Sequence, residues 1–227
     1  MNKELNANYY AIVENFINEV DQDPRASLPA KDAAMARLAV LLGCQGKDAF
    51  KELAKDVLER AILTPTEIQE IVYQATDYLG YGRVCPFIKA MDKVFEKQGV
   101  TLPLPDQSTT DAQSRFERGL DTQVTIFGPQ MRESVKKGPI NEWLAANCFG
   151  DYYTRTGLTL AQREMITFCF LEGQGGCENQ LRGHIQGNIR MGNNLDYLKK
   201  IVMANVPYIG YPRSLNAMAC IQEAETK

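Results

Sequence analysis

Tyr208-Ile-Gly-Tyr-Pro-Arg213 restates Tyr78-Leu-Gly-Tyr-Gly-Arg83 at a distance of 130 residues. Carried outward, that offset lays 28–83 over 158–213 without a gap, and 12 of the 56 paired positions are identical. The identities gather where turns are expected, at Gly43/Gly173, Gly46/Gly176, Gly80/Gly210 and the two tyrosine segments. Shared helical periodicity alone would instead scatter them over apolar faces. The pattern points to a tandem duplication of one structural unit.

Each copy reads as three consecutive helices plus a closing one. In the second copy, 159–172 opens on Thr159 as N-cap, carries Met165, Phe168, Cys169 and Leu171 on one side, and stops at Gly173-Gln-Gly-Gly176. A helix from Cys177 to about Met191 follows and ends at Gly192. A third, about 194–205, is capped by Asn194 and stopped by Pro207, and Pro212–Glu225 closes the chain. The first copy repeats the scheme, with Thr64-Pro65-Thr66-Glu67 as a cap followed by proline in the first turn. No segment alternates with strand period, so the fold class is all-α. Gly99–Asp111, with Pro103, Pro105 and Gln107-Ser-Thr-Thr110, reads as a linker. The expected organisation is a first, diverged copy at 1–98, the linker at 99–111, and a second copy at 112–227, in which 112–157 adds one or two helices.

Composition narrows the function classes. The chain has 227 residues, 44% hydrophobic and 23% charged, the profile of an ordinary globular protein. A net charge of −3 argues against a nucleic-acid partner, which calls for a basic face. No apolar run is long enough to span a membrane and the N-terminus lacks a signal-peptide core, so a cytoplasmic protein is expected. Six cysteines without a C-x-x-C pair, and a single histidine, leave no plausible zinc site, and no metal or cofactor is expected.

That histidine, His184, lies in Cys177-Glu-Asn-Gln-Leu-Arg-Gly-His-Ile-Gln-Gly187. On a helix, Cys177, Gln180, His184 and Gly187 fall along one stripe. Gly183 and Gly187 each cost a helix roughly 1 kcal/mol relative to alanine, which suggests close approach of another helix or a ligand. A lone helical histidine is more often structural than catalytic. Here, however, its partner in the first copy is Ala54, that of Cys177 is Lys47, and that of Glu164 is Ala34. The turns are shared and the polar set is not, as expected if one copy works and the other supports it.

The run Phe149-Gly-Asp-Tyr152 through Gly157-Leu158 and Arg163-Glu-Met-Ile-Thr167 to His184 resembles the carboxymuconolactone decarboxylase family. So does the closing Tyr208-Ile-Gly-Tyr-Pro-Arg-Ser-Leu-Asn-Ala217. The resemblance is strong over about 140–218. It implies a helical bundle like that of the alkylhydroperoxidase D (AhpD) type, and a homo-oligomer, with three two-copy chains forming a pseudo-hexamer. It also implies one of two chemistries. In the AhpD type, a glutamate is followed by Cys-x-x-Cys and a histidine four residues later, for thiol-dependent peroxidase (peroxiredoxin-like, antioxidant) activity on a hydroperoxide. Glu164, Cys177 and His184 match that pattern, but Gln180 stands where the second cysteine would be, and one extra residue separates Glu164 from Cys177. Cys177 and His184 are about 10 Å apart along a helix, too far for a direct pair. Cys177 still sits at a helix N-terminus, where the dipole can lower a thiol pKa, and could pair with Cys44, Cys85 or a partner's thiol. It reads equally as a buried apolar cysteine.

The decarboxylase branch needs no thiol. Loss of CO2 from a lactone-like acid leaves an extended enolate that an acid must protonate, and His184 is the natural donor. Glu164 could orient its ring. Arg163, Arg182 and Arg213, and also Arg155, are candidates for holding substrate carboxylates, with Gln180 nearby. An ion pair between elements is the commoner fate of any one arginine, and the match of Arg213 to Arg83 points to structure. Three expectations follow: a His184-dependent lyase acting on a small lactone or carboxylate, a Cys177-dependent peroxidase, or a non-catalytic oligomeric assembly protein.

Overall fold

Two helices run through the middle of the molecule and are buried on almost every side: α2 (Ala30–Gly43) and α9 (Leu160–Gln174). A helix without a solvated stripe must be wrapped by others. The computed structural model describes residues 3–226, except for the side chain of Lys3, and shows what wraps these two. Before and after α2 come α1 (Ala7–Gln22), α3 (Lys47–Glu59), α4 (Pro65–Leu79) and α5 (Tyr81–Lys97). The second half has α6 (Arg115–Phe127), two short helices α7 (Met131–Ser134) and α8 (Pro139–Trp143), and a π-helix (Leu144–Tyr153). It continues with α10 (Glu178–Arg190), α11 (Leu195–Ile209) and α12 (Tyr211–Glu225). No strand occurs among the described residues, and the fold is an all-α bundle.

The central crossing depends on two glycines. A Cβ at Gly43 would lie 2.6 Å from the Phe170 carbonyl oxygen, and one at Gly173 would lie 2.5 Å from that of Val40. The backbones meet because neither residue has a side chain. Leu38, Leu42, Phe50 and Ile71 from the first half join Phe168, Phe170, Ile185 and Ile201 from the second in one continuous core. The segments 1–98 and 112–227 therefore do not each enclose a separate core. Four helix starts in the first half, at 30, 47, 65 and 81, are followed by starts at 160, 178, 195 and 211.

The caps form as their sequences dictate. Thr64 with Glu67, and Thr159 with Gln162, close reciprocal capping boxes, and Asn194 accepts from the Tyr197 amide. Two expectations need correction. Pro207 does not stop α11: it falls in the last turn, where little bonding is lost, and the helix runs to Ile209 before Gly210 turns the chain at a φ of 75°. The stretch 112–157 holds more than two helices, because Gly128-Pro129 and Gly138-Pro139 cut it into short pieces before the π-helix. Residues 99–111 contain no helix but are fastened down: Thr109 and Thr110 hydroxyls donate to the Thr154 and Gly150 carbonyls, each at 2.8 Å.

Candidate active site

Glu164 is carried into the core by α9 and has no exposed surface. Helix α10 can cross directly above it because Gly187 has no side chain: a Cβ there would lie 2.2 Å from Glu164 Oε2. One turn earlier on α10, His184 Nδ1 meets the same oxygen at 2.9 Å. Asn188 fixes the register of the two helices, its Nδ2 donating to the carbonyls of Glu164 at 2.9 Å and His184 at 2.8 Å. The other carboxylate oxygen, Oε1, accepts from the Tyr153 hydroxyl at 2.8 Å. Both oxygens of a dry carboxylate are thus satisfied, as burial requires.

Behind this pair runs a chain of hydroxyls whose donor assignments close on themselves. Gln74 Nε2 donates to Thr167 Oγ1 (2.9 Å), Thr167 donates to Tyr153 (2.7 Å) and Tyr153 donates to Glu164. The Tyr78 hydroxyl donates to Tyr153 (2.9 Å) and receives the Cys148 thiol hydrogen (3.7 Å). Burial pushes both phenols well above their ordinary range, so they keep their protons. The His184 ring stands edge-on between Tyr78 and Phe127, at centroid distances of 5.4 and 5.3 Å. With Nδ1 donating to Glu164, Nε2 is the nitrogen left to carry a lone pair or an exchangeable proton.

His184 lines a cavity of about 750 Å3 together with Cys177, Gln180, Asp77, Phe127 and Phe149. Four more glutamines, Gln123, Gln130, Gln174 and Gln186, contribute amides, and no lysine or arginine belongs to the wall. The cavity is walled by apolar groups and neutral donors, with one imidazole and one carboxyl able to exchange protons.

The structure brings together His184 and Cys177 on the cavity wall, with Glu164 behind His184, and places Gln180 at the rim. It leaves the arginines elsewhere. Arg163 is wholly buried, bonded to Gln74 (2.8 Å) and Glu70 (3.0 Å) on α4, so it joins the two halves and reaches no ligand. Arg155 clamps the same Glu70. Arg182 pairs with Glu223 at 2.7 Å on the surface. Arg213 packs on Gly175 and lines a separate, small void with Glu172. None of these arginines lines the cavity that holds His184. Cys177 stands at the N-cap of α10, yet burial and the neighbouring Glu178 push its pKa up, and its Sγ turns to the Leu171 carbonyl at 3.4 Å. All six cysteines are unpaired.

Tyr78, Tyr153, Phe127 and Asp77 were not anticipated. Tyr78 stood in plain view in the repeated Tyr-x-Gly-Tyr segment, where it reads as part of a turn. Its hydroxyl lies 75 residues in sequence from that of Tyr153, and only the packing of α4 against the π-helix joins them.

Residues 139–223 match the model of the Carboxymuconolactone decarboxylase family. The chain is also similar to the 4-carboxymuconolactone decarboxylase of Acinetobacter baylyi, at 25% identity over 117 residues, covering 49% of this chain and 87% of that relative. Everything on the cavity side of His184 from α9 and α10 lies within the matched segment. Asp77, Tyr78, Gln123 and Phe127 lie outside it.

Proposed function

We propose that this protein, whose residues 139–223 match the carboxymuconolactone decarboxylase family model, is a lyase that removes CO2 from a small unsaturated lactone acid, with His184 as proton donor. The observation that carries this reading is the 2.9 Å contact between His184 Nδ1 and Glu164 Oε2. It fixes the tautomer and presents Nε2 as the atom that protonates carbon. When the substrate's carbon–carboxylate bond breaks, its electron pair enters the conjugated carbonyl system as an enolate. His184 Nε2–H then delivers its proton to carbon, and solvent restores it. Glu164 holds the imidazolium while its second oxygen stays bound to Tyr153. The amides of the wall suit a neutral or singly charged lactone better than a polyanion, because no arginine or lysine lines the cavity.

The competing thiol chemistry would rest on Cys177, whose pKa burial pushes up and which forms no disulfide. The test is turnover of a carboxy-substituted butenolide, followed as CO2 release, beside consumption of an organic hydroperoxide. His184→Ala is expected to lower kcat by at least about 100-fold and Glu164→Gln by about 10-fold or more. Cys177→Ser should stay within about twofold of wild type. Hydroperoxide loss that vanishes in Cys177→Ser, without lactone turnover, would establish the peroxidase instead. Inertness toward both substrates would favour the assembly role.

A further inference from the structure

Asp77 belongs to the same cavity but comes from α4, in the other half of the chain. The residue is half-buried, yet its Oδ2 is shut off from solvent and has no hydrogen-bond partner. The groups that face it are the Cys148 thiol, Asp151 and Tyr152 on the π-helix and Tyr78 beside it. His184 from α10, backed by Glu164 from α9, shares the cavity wall, as does Cys177. No cation lines this space, and the nearest formal charge acting on Asp77 is the like charge of Asp151. Burial, opposed by the Cys148 thiol and reinforced by Asp151, pushes the Asp77 carboxyl up to about 8. A carboxyl in such a place keeps its proton at neutral pH and has an O–H to donate.

A second observation ties the acid to the imidazole. At the 130-residue offset, the positions equivalent to Glu164, His184 and Asp77 are Ala34, Ala54 and Pro207. The Tyr78 position is kept as Tyr208, but there the Arg37 guanidinium stacks over the ring at 5.5 Å and pairs with Asp21. The carboxyl at position 77 is therefore present where the histidine and glutamate are, and absent where they are absent. A purely architectural carboxyl on this helix would have no reason to follow the imidazole.

We infer that Asp77 is a second catalytic group of this site, a carboxyl from the other half of the chain that donates a hydrogen bond to the substrate carbonyl oxygen on which enolate charge develops as CO2 leaves. This rests on the lyase reading above. The carbon–carboxylate electron pair ends on that oxygen, which Asp77 O–H stabilises without giving up its proton. His184 Nε2 then protonates carbon, and the charge collapses back. A donor aimed at a developing oxyanion in a dry site is among the larger contributions a side chain can make, and an acid held neutral by its surroundings serves as such a donor.

The experiment compares wild type, Asp77→Ala and Asp77→Asn on the butenolide acid from pH 6 to 9.5, each shown folded by its thermal melt. Asp77→Ala should lower kcat by about 10- to 100-fold with KM little changed. Asp77→Asn, which keeps a neutral donor, should retain a larger share. It should also lose the alkaline fall in kcat that wild type shows as pH rises through about 8. A kcat for Asp77→Ala within twofold of wild type overturns the inference alone, as does an alkaline limb that persists unchanged in Asp77→Asn. If wild type releases no CO2 from the substrate, both this inference and the lyase reading fall. The wild-type measurement thus reads the reaction, and the two variants read Asp77.

Discussion

Glu172 is a carboxylate with poor surroundings. It is buried in α9, Asn205 Nδ2 supplies its one hydrogen bond at 2.9 Å, and its Oε1 has no partner. Burial pushes its pKa from 4.5 to about 8. The unfolded chain releases this proton above about 4.5, whereas the folded chain holds it until about 8, so the group's contribution to stability is complete in acid and is lost as pH rises through that window. Glu172→Gln keeps the shape and the Asn205 contact but removes the titration. The variant should melt roughly 2–4 °C higher than wild type at pH 8, with little difference at pH 4.5. A pH-independent difference would show that packing, and not ionisation, sets the cost. His184 could be singled out from sequence because it is unique and faces alanine at the equivalent position. Glu172 could not be: within Phe168-Cys-Phe-Leu-Glu172 a glutamate reads as the helix's solvated end, and the packing of α11 and α12 around it makes it dry. Arg163 was misread for the same reason, since its partners Glu70 and Gln74 lie about ninety residues away in sequence.

At the scale of elements, the helices and their caps were legible because local chemistry fixes them. A Thr with Glu or Gln three residues on, or a glycine at positive φ, acts within one turn. Crossings are not local. Gly43 and Gly173 read as helix stops, and they fall in the last turns of α2 and α9, where they serve the α2–α9 contact. Gly173→Ala would place a methyl 2.5 Å from the Val40 carbonyl oxygen, which the rigid backbone of α2 cannot yield without separating the helices. A loss of about 1–3 kcal/mol is expected, read as a lower denaturation midpoint in urea. Gly183→Ala is the matched control, since a Cβ there meets nothing within 4 Å, and it should equal wild type or exceed it. Equal losses in the two variants would mean that helix propensity, and not the crossing, governs. The π-helix was illegible for a related reason. Its wider winding has no sequence period, though it delivers Cys148, Phe149 and Tyr153 to the site.

At the scale of the molecule, the contacts repeat as the sequence does. Gly43 meets Phe170 as Gly173 meets Val40, and residues 40 and 170 are themselves 130 apart. Such an exchange is what a two-fold axis produces, and it supports reading the chain as two fused copies of one unit, with the site kept in one. If so, residues 112–227 expressed alone should try to pair with themselves, α9 taking the place of α2 against a second α9. The pairing has a specific obstacle. In the intact chain the buried Arg163 is neutralised by Glu70 and hydrogen-bonded by Gln74 of α4. The equivalent positions on α11 are Lys200 and Ala204, so a dimer of the second half would set Lys200 of one copy against Arg163 of the other. Two cations in a dry contact, with no carboxylate between them, cost several kcal/mol. The fragment should therefore remain monomeric and melt without cooperativity. Lys200→Glu with Ala204→Gln should convert it to a dimer with a cooperative transition, measured by sedimentation and circular dichroism. A cooperative dimer from the unaltered fragment would refute this account of Glu70. A doubly substituted fragment that stays unfolded would mean that the two halves are not interchangeable, and that the shared turns do not reflect a two-fold design.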